Sequence, residues 1–386
     1  MIIVNAKIYT METETPIENG FIRFHSTIEE IGDMQNFSNP LNDEIIDADG
    51  MYVFPGLIDA HTHLGMFEDS LGFEGDDGNE ESDPITPHLR AIDAINPNDR
   101  YFTEAKLSGI TTIASGPGSA NPISGQFCAL KTDGAVIDDM VIKDPVAMKF
   151  SFGENPKTVY HGKNQQPLTR MATAALIRET LKKAQEYAEN IKLATENPDD
   201  YEKPDYDAKL ESLLLVLSGE LPVKAHAHRA DDIATAMRIA KEFGLHMTIE
   251  HATEGHLIPE KVKDSYCMLG PTLSDRSKPE LRNMTFDTYR ILSEQGTPVS
   301  IITDHPEIPI NFLPLCAALA VKSGMKPFEA LKAITITPAK ALKIEDRVGS
   351  LTVGKDADIV MFNQFPLELM AKAECVFING KKISGN

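Results

Sequence analysis

The chain has 386 residues, 42% of them apolar and 25% charged, enough for one large globular core with a smaller companion. Thirty-seven basic against 58 acidic residues give a net charge of −21, which repels nucleic acid and anionic membrane. No apolar run reaches the ~18 residues of a membrane span, the start Met1-Ile-Ile-Val-Asn-Ala-Lys7 lacks a secretory pattern, and Cys128, Cys267, Cys316 and Cys375 form no C-x-x-C pair, so a cytoplasmic protein with buried thiols is expected.

Residues 1 to about 55 alternate in short strand-like runs, Ile2–Val4, Ile8–Thr10, Gly20–Phe24, Glu44–Ala48 and Met51–Phe54, separated by turn signals such as Glu18-Asn-Gly20 and Asp47-Ala-Asp-Gly50. The far end is similar, with Gly349-Ser-Leu-Thr-Val-Gly354 leading into Asp358–Phe362 and then Cys375–Gly380. Two strand-rich ends around a different middle predict a small β-sandwich domain assembled from 1–55 and 346–386.

The middle, 56–345, alternates strands with helical stretches, the pattern of βα units on a parallel sheet. Strands are expected at Gly56–Ala60, Thr111–Ser115, Val146–Ser151, Val223–His226, Met247–His251, Tyr266–Leu269 and Val299–Thr303. Helices fit between them, as at Asp231–Phe243, where Ile233, Met237 and Ala240 recur at helical spacing before the stop at Gly244. About eight strands in about 290 residues predict a (β/α)₈ TIM-like barrel, whose strand C-termini carry the active site. Residues 171–217 form a helical insertion, Met171–Ala194 and then Tyr206–Leu217, of the kind that serves as a lid or as the contact of a homo-oligomer.

Chemistry-bearing residues stand at the ends of these strands. In Val53-Phe-Pro-Gly-Leu-Ile-Asp-Ala-His61-Thr-His63, alternation sets His61 and His63 on one face, where two imidazoles present nitrogen to a single ion. Downstream come Lys149 on an apolar strand with Glu154 just beyond it, His226 and His228, His251, and Asp304 followed by His305. Such residues at successive strand ends converge on one mouth of a barrel, which independent core histidines have no reason to do. An acidic run, Glu68 to Asp83, follows the H-x-H stretch; it reads as a solvated loop or as a lid that favours cationic substrates. Ser115-Gly-Pro-Gly to Gly125 lacks the Gly-Lys-Ser/Thr ending of a phosphate loop and reads as a turn-rich connection.

Pro55-Gly-Leu-Ile-Asp-Ala-His61-Thr-His63, Thr248-Ile-Glu-His251, Asp304, Leu331-Lys-Ala-Ile-Thr-Ile-Thr-Pro-Ala-Lys-Ala-Leu342 and Gly349 to Val360 together resemble the amidohydrolase superfamily, nearest its imidazolonepropionase-related and Xaa-Pro-dipeptidase-like members. The resemblance implies hydrolysis of a C–N bond in an amide, cyclic amide or dipeptide-like substrate by metal-activated water, with one or two divalent ions, zinc foremost. It makes His61, His63 and Asp304 ligands of a first ion, His226 and His251 ligands of a second, and Asp304 the general base. It also implies a bridge between the ions, either a carboxylated Lys149 or Glu154, or else a mononuclear site. His228 is read as a catalytic or substrate-facing group, and Arg229 and His305 as substrate contacts. A metal-dependent deaminase is the alternative reaction, and a non-catalytic scaffold the alternative class.

Overall fold

The computed structural model describes residues 1–39, 43–69 and 71–383. The chain opens with five short strands, β1 (Ile2–Ile8), β2 (Ile17–Phe24), β3 (Ile28–Asp33), β4 (Ile45–Asp47) and β5 (Tyr52–Pro55). Alternation along β1 decides what each face meets: Ile3, Ala6 and Ile8 join one apolar cluster, while Ile2 and Val4 join a second with Phe21.

The middle of the chain supplies β6 (Leu57–Thr62), α1 (Arg100–Leu107), β7 (Ile110–Ser115), β8 (Ile123–Lys131), β9 (Val141–Ser151), α2 (Glu154–Gly162), α3 (Arg170–Glu196), α4 (Ala208–Leu217), β10 (Val223–Ala227), α5 (Ala230–Phe243), β11 (Met247–His251), α6 (Pro259–Val262), β12 (Cys267–Leu269), α7 (Asp287–Glu294), β13 (Val299–Ile301) and α8 to α10 (Leu313–Lys322, Pro327–Lys332, Ile336–Ala341). Strands β6 to β13 lie side by side in chain order. The sheet nearly closes on itself, because the chain just past β13 pairs with β6: Asp304 N donates to His61 O at 3.2 Å and His63 N to His305 O at 2.8 Å.

This sheet is mixed, which corrects the all-parallel expectation. Strand β8 runs antiparallel to both β7 and β9. The sequence hid it because Ile123-Ser-Gly-Gln-Phe-Cys-Ala-Leu-Lys131 breaks its apolar run with buried Ser124 and Gln126 and with Gly125, whose φ of +141° suits glycine. The expected helical excursion is present, capped at Thr169 and Asp207 by side chains that accept from backbone N–H groups. It packs on α5, with Arg178 Nε 2.7 Å from Glu242, and Lys209 of α4 reaches Asp83 in the loop after β6 at 2.6 Å.

At the far end β14 (Ile359–Phe362), β15 (Ala373–Ile378) and β16 (Lys381–Ile383) join the opening strands in a second sheet, ordered β16-β15-β14-β5-β1-β2-β3 with β4 also on β1. A buried ion cluster ties the two sheets together: Lys131 Nζ on β8 lies 2.6 Å from Asp358 and 2.9 Å from Asp356. Among the described residues no helix is long and apolar enough to cross a membrane.

Candidate metal centre

Two clusters of metal-capable side chains stand at one end of the barrel sheet, His61 with His63 and Asp304, and His226 with His228 and His251. All six are at most 9% exposed. Each comes from a strand end. His61 and His63 share the inward face of β6, His226 and His228 that of β10, and His251 ends β11. The backbone is left-handed at His251 (φ +70°) and at Asp304 (φ +54°), a conformation that costs a non-glycine residue roughly 1–3 kcal/mol and that turns the chain where the ligand-capable groups are presented.

Hydrogen bonds aim the imidazoles. His63 Nδ1 lies 2.6 Å from Gly116 O and His251 Nδ1 2.8 Å from Gly270 O; a carbonyl only accepts, so each Nδ1 carries the proton and each Nε2 offers a lone pair. His61 Nδ1 lies 2.5 Å from Glu250 Oε2, which also receives Lys224 Nζ at 2.8 Å. His226 and His228 set Nδ1 against Ser119 Oγ and Thr253 Oγ1, at 2.9 and 2.8 Å. The result is a buried set of inward-facing atoms, among which His226 Nε2, His251 Nε2 and Asp304 Oδ1 have no hydrogen-bond partner. Acceptors left bare in a buried space fit a cation, and imidazole with carboxylate is the donor set of zinc and its neighbours.

Protonation agrees with that use. Burial, reinforced by nearby cationic groups, pushes His61, His226 and His228 well below the ordinary imidazole value, and His251 is lowered as well, so all four are neutral at pH 7. Burial alone would raise the Asp304 carboxyl, but His251, His63 and Lys149 outweigh it and hold it low. Lys149, fully buried with its Nζ 3.1 Å from His61 Nε2, is pushed by burial down to about 8.

The remaining expected residues divide. Lys149 reaches the first cluster, whereas Glu154 does not: Gly153, at φ +84°, turns the chain out of β9, and Glu154 begins α2 beside a neighbouring cavity that Arg229 also lines. Arg229 is engaged by Asp231 at 2.7 Å. His305 is buried against Tyr101, its ring lowered by burial to about 4, and its backbone carbonyl serves the barrel seam. His228, read as facing substrate, stands in the same cluster as His226 and His251.

Three residues escaped the sequence reading. Asp59, on the face of His61 and His63, accepts from Thr303 N and Oγ1 at 3.0 and 2.6 Å and from His61 N at 3.2 Å, clamping β6 to the segment that carries Asp304. Alternation marks it, since it stands two residues before His61. Glu250 orients His61 and lies one residue before His251. Glu280, 1% exposed on the loop after β12, lies 3.6 Å from His228 Nε2 and 3.8 Å from His226 Nε2; no local pattern marks it.

A cavity of about 440 Å³ opens onto both clusters, with His63, His226, His228 and Asp304 in its wall beside Phe67, Asn79, Lys278 and Glu307. Among the described residues of the acidic run, Asn79 lines this cavity, with Phe67 just ahead of the run. The run's Asp76, Asp77 and Glu80 line a separate space of about 770 Å³, while Asp83 pairs with Lys209 at 2.6 Å and Glu81 with Lys163 at 2.8 Å.

Residues 52–383 match the model of the Amidohydrolase family. The chain is 38% identical to an amidohydrolase from Thermotoga maritima of known structure, with both chains covered in full and a TM-score of 0.95. It is 30% identical to the amidohydrolase tasK of Hapsidospora irregularis over 87% of its own length but 37% of that protein, so it spans little more than a third of that relative. It is 26% identical to the imidazolonepropionase of Pseudomonas syringae pv. tomato, over 87% of this chain and 85% of the relative. A Xaa-Pro dipeptidase with bound methionine shares the fold at a TM-score of 0.59 and 18% identity, over 100% and 99% of the two chains.

Proposed function

The chain belongs to the amidohydrolase family and is a hydrolase acting on carbon–nitrogen bonds, and from that footing we propose that it cleaves an amide, cyclic amide or dipeptide-like substrate by activating water at two divalent ions, zinc foremost. The observation that carries this reading is the pair of neighbouring clusters beside one cavity, His61, His63 and Asp304 next to His226, His228 and His251. Two clusters favour a binuclear hydrolase over a deaminase, which more typically uses one ion.

Bound divalent ions supply Lewis acidity, polarising a scissile carbonyl and lowering the pKa of water toward ~7. The chain's own side chains hold, orient and move protons. Asp304, anionic at neutral pH with Oδ1 bare, is the base that takes a proton from the attacking water and returns it to the leaving nitrogen. Asp59 and Glu250 are positioning residues, the first for Asp304 through Thr303 and the second for His61 through Nδ1. Lys149, neutral in part near pH 8, is a lysine able to take up CO₂ and become the bridging anion. Glu154 and Arg229 have no part in this reading. The sheet drawn from 1–55 and 346–386 is read as a supporting domain for a catalytic domain of 56–345.

The test is a panel of N-acyl amino acids, cyclic amides and dipeptides, with amidines as the comparison, offered to metal-reconstituted protein. Release of an amine or ring opening of a cyclic amide is the expected result. Ammonia from an amidine carbon, with no turnover of the amides, would replace hydrolysis of amides by deamination.

A further inference from the structure

The two clusters share a construction that the sequence shows only in part. In the first, two histidines at i and i+2 of one strand, His61 and His63, face one carboxylate oxygen brought by another segment: Asp304 Oδ1 stands 3.5 and 3.3 Å from their Nε2 atoms. In the second, His226 and His228, also at i and i+2, face Glu280 Oε1, 3.8 and 3.6 Å from theirs. The two Glu280 separations are too long for hydrogen bonds. They suit two donors of one ion, since ligands ~2.1 Å from a tetrahedral centre lie about 3.4 Å apart.

Glu280 is also held for the purpose. Its other oxygen accepts the backbone N–H of Glu154 at 3.0 Å, which fixes the carboxylate plane at the start of α2. Lys278 Nζ, 2.8 Å from Oε1 and 2.8 Å from Asn155 Oδ1, offsets the charge from the cavity side. A carboxylate oxygen has more than one lone pair, so the lysine leaves Oε1 a direction toward the histidines. At 1% exposure this carboxylate has little solvent to stabilise it, and the bare Nε2 of His226 faces the same space.

We propose that Glu280 is a donor to the ion held by His226, His228 and His251, so that the second site carries its own anionic ligand, delivered by the loop after β12, independently of any bridge from Lys149. The inference rests on the two-ion reading above. The second site would then form only when the 270–282 loop is seated, which couples ion retention to the loop that walls the cavity.

The experiment is equilibrium dialysis and calorimetric titration of the full chain with Zn²⁺, and visible absorption of the Co²⁺-loaded form, for wild type, Glu280→Gln, Glu280→Asp and Lys278→Met. The expected result is two ions in wild type and in Lys278→Met. In Glu280→Gln the second ion binds on the order of 100-fold more weakly, the absorption of the second Co²⁺ equivalent changes, and Glu280→Asp falls between. Thermal melts of the metal-free proteins report whether each variant folds, and Glu280→Asp carries the test if the glutamine variant does not. Equal binding and equal spectra across wild type and the Glu280 variants overturn the inference. If both hold two ions the hydrolase reading stands; if wild type itself holds fewer than two, the two-ion reading falls as well.

Discussion

The two sheets are alike in strand number and opposite in what they bury. The sheet built from the chain ends encloses Ile3, Ile22, Phe24, Val53 and Phe377, with Phe24 and Phe377 meeting edge to face at 5.0 Å. The barrel sheet holds Asp59, His61, Lys149, Lys224 and Glu250 at 1% exposure or less. Burying such groups opposes folding unless each is paired, and here Lys224 and His61 share Glu250 while Thr303 satisfies Asp59. The difference teaches where to look for function: one sheet spends its interior on packing, and the other keeps ionisable groups inside.

Substitutions that separate the two roles sharpen that contrast. Asp304→Asn is expected to lower hydrolysis by about 10²–10⁴-fold while the protein still folds, because the proton acceptor is lost together with the anionic donor of the first cluster; steady-state rates and a thermal melt decide it. A rate within a few-fold of wild type would remove Asp304 from its role. In the packing sheet, Phe377→Ala is expected to cost about 3–5 kcal/mol in denaturant unfolding and to leave ions per folded chain unchanged. Loss of metal from that variant would break the division between the sheets.

Glu250→Gln lies between these cases, since it keeps the shape but weakens the acceptor for His61 and leaves Lys224 without its anion. A 10–100-fold fall in affinity for the first ion is expected in the same dialysis, and unchanged affinity would make Glu250 a partner of Lys224 alone. The smallest effect is a matter of pH. Burial pushes Lys149 from 10.5 down to about 8, so between those values the unfolded chain keeps a proton that the folded chain has released, and the stability of chelated protein rises with pH across that window. Lys149→Met removes the rise: the variant is the more stable below about pH 8 and its lead closes toward 10.5. Parallel stability curves would show that Lys149 carries no buried charge.

Much of this was legible from the chain itself. Period-two alternation put His61 and His63 on one face, and the recurrence of His, Lys and Asp at strand ends pointed to one mouth. Legibility ended where contacts are long-range or structure departs from a repeat. Strand β8 was lost because a buried Gln126 and Gly125 interrupt its apolar signal and because a uniform βα rhythm leaves no room for a strand that runs back. Glu154 stood as the alternative to Lys149 for the bridge until Gly153, at positive φ, turned the chain away. Glu280 meets His226 across 54 positions, through a loop with no periodicity to mark it.

The central claim is that the barrel sheet keeps its buried ionisable groups to hold two ions. Elemental analysis of protein purified without chelator, and again after reconstitution with zinc or manganese, tests it most directly. The account predicts two ions per chain, both lost together with activity on chelation; a folded chain that takes up no metal even after reconstitution would contradict it.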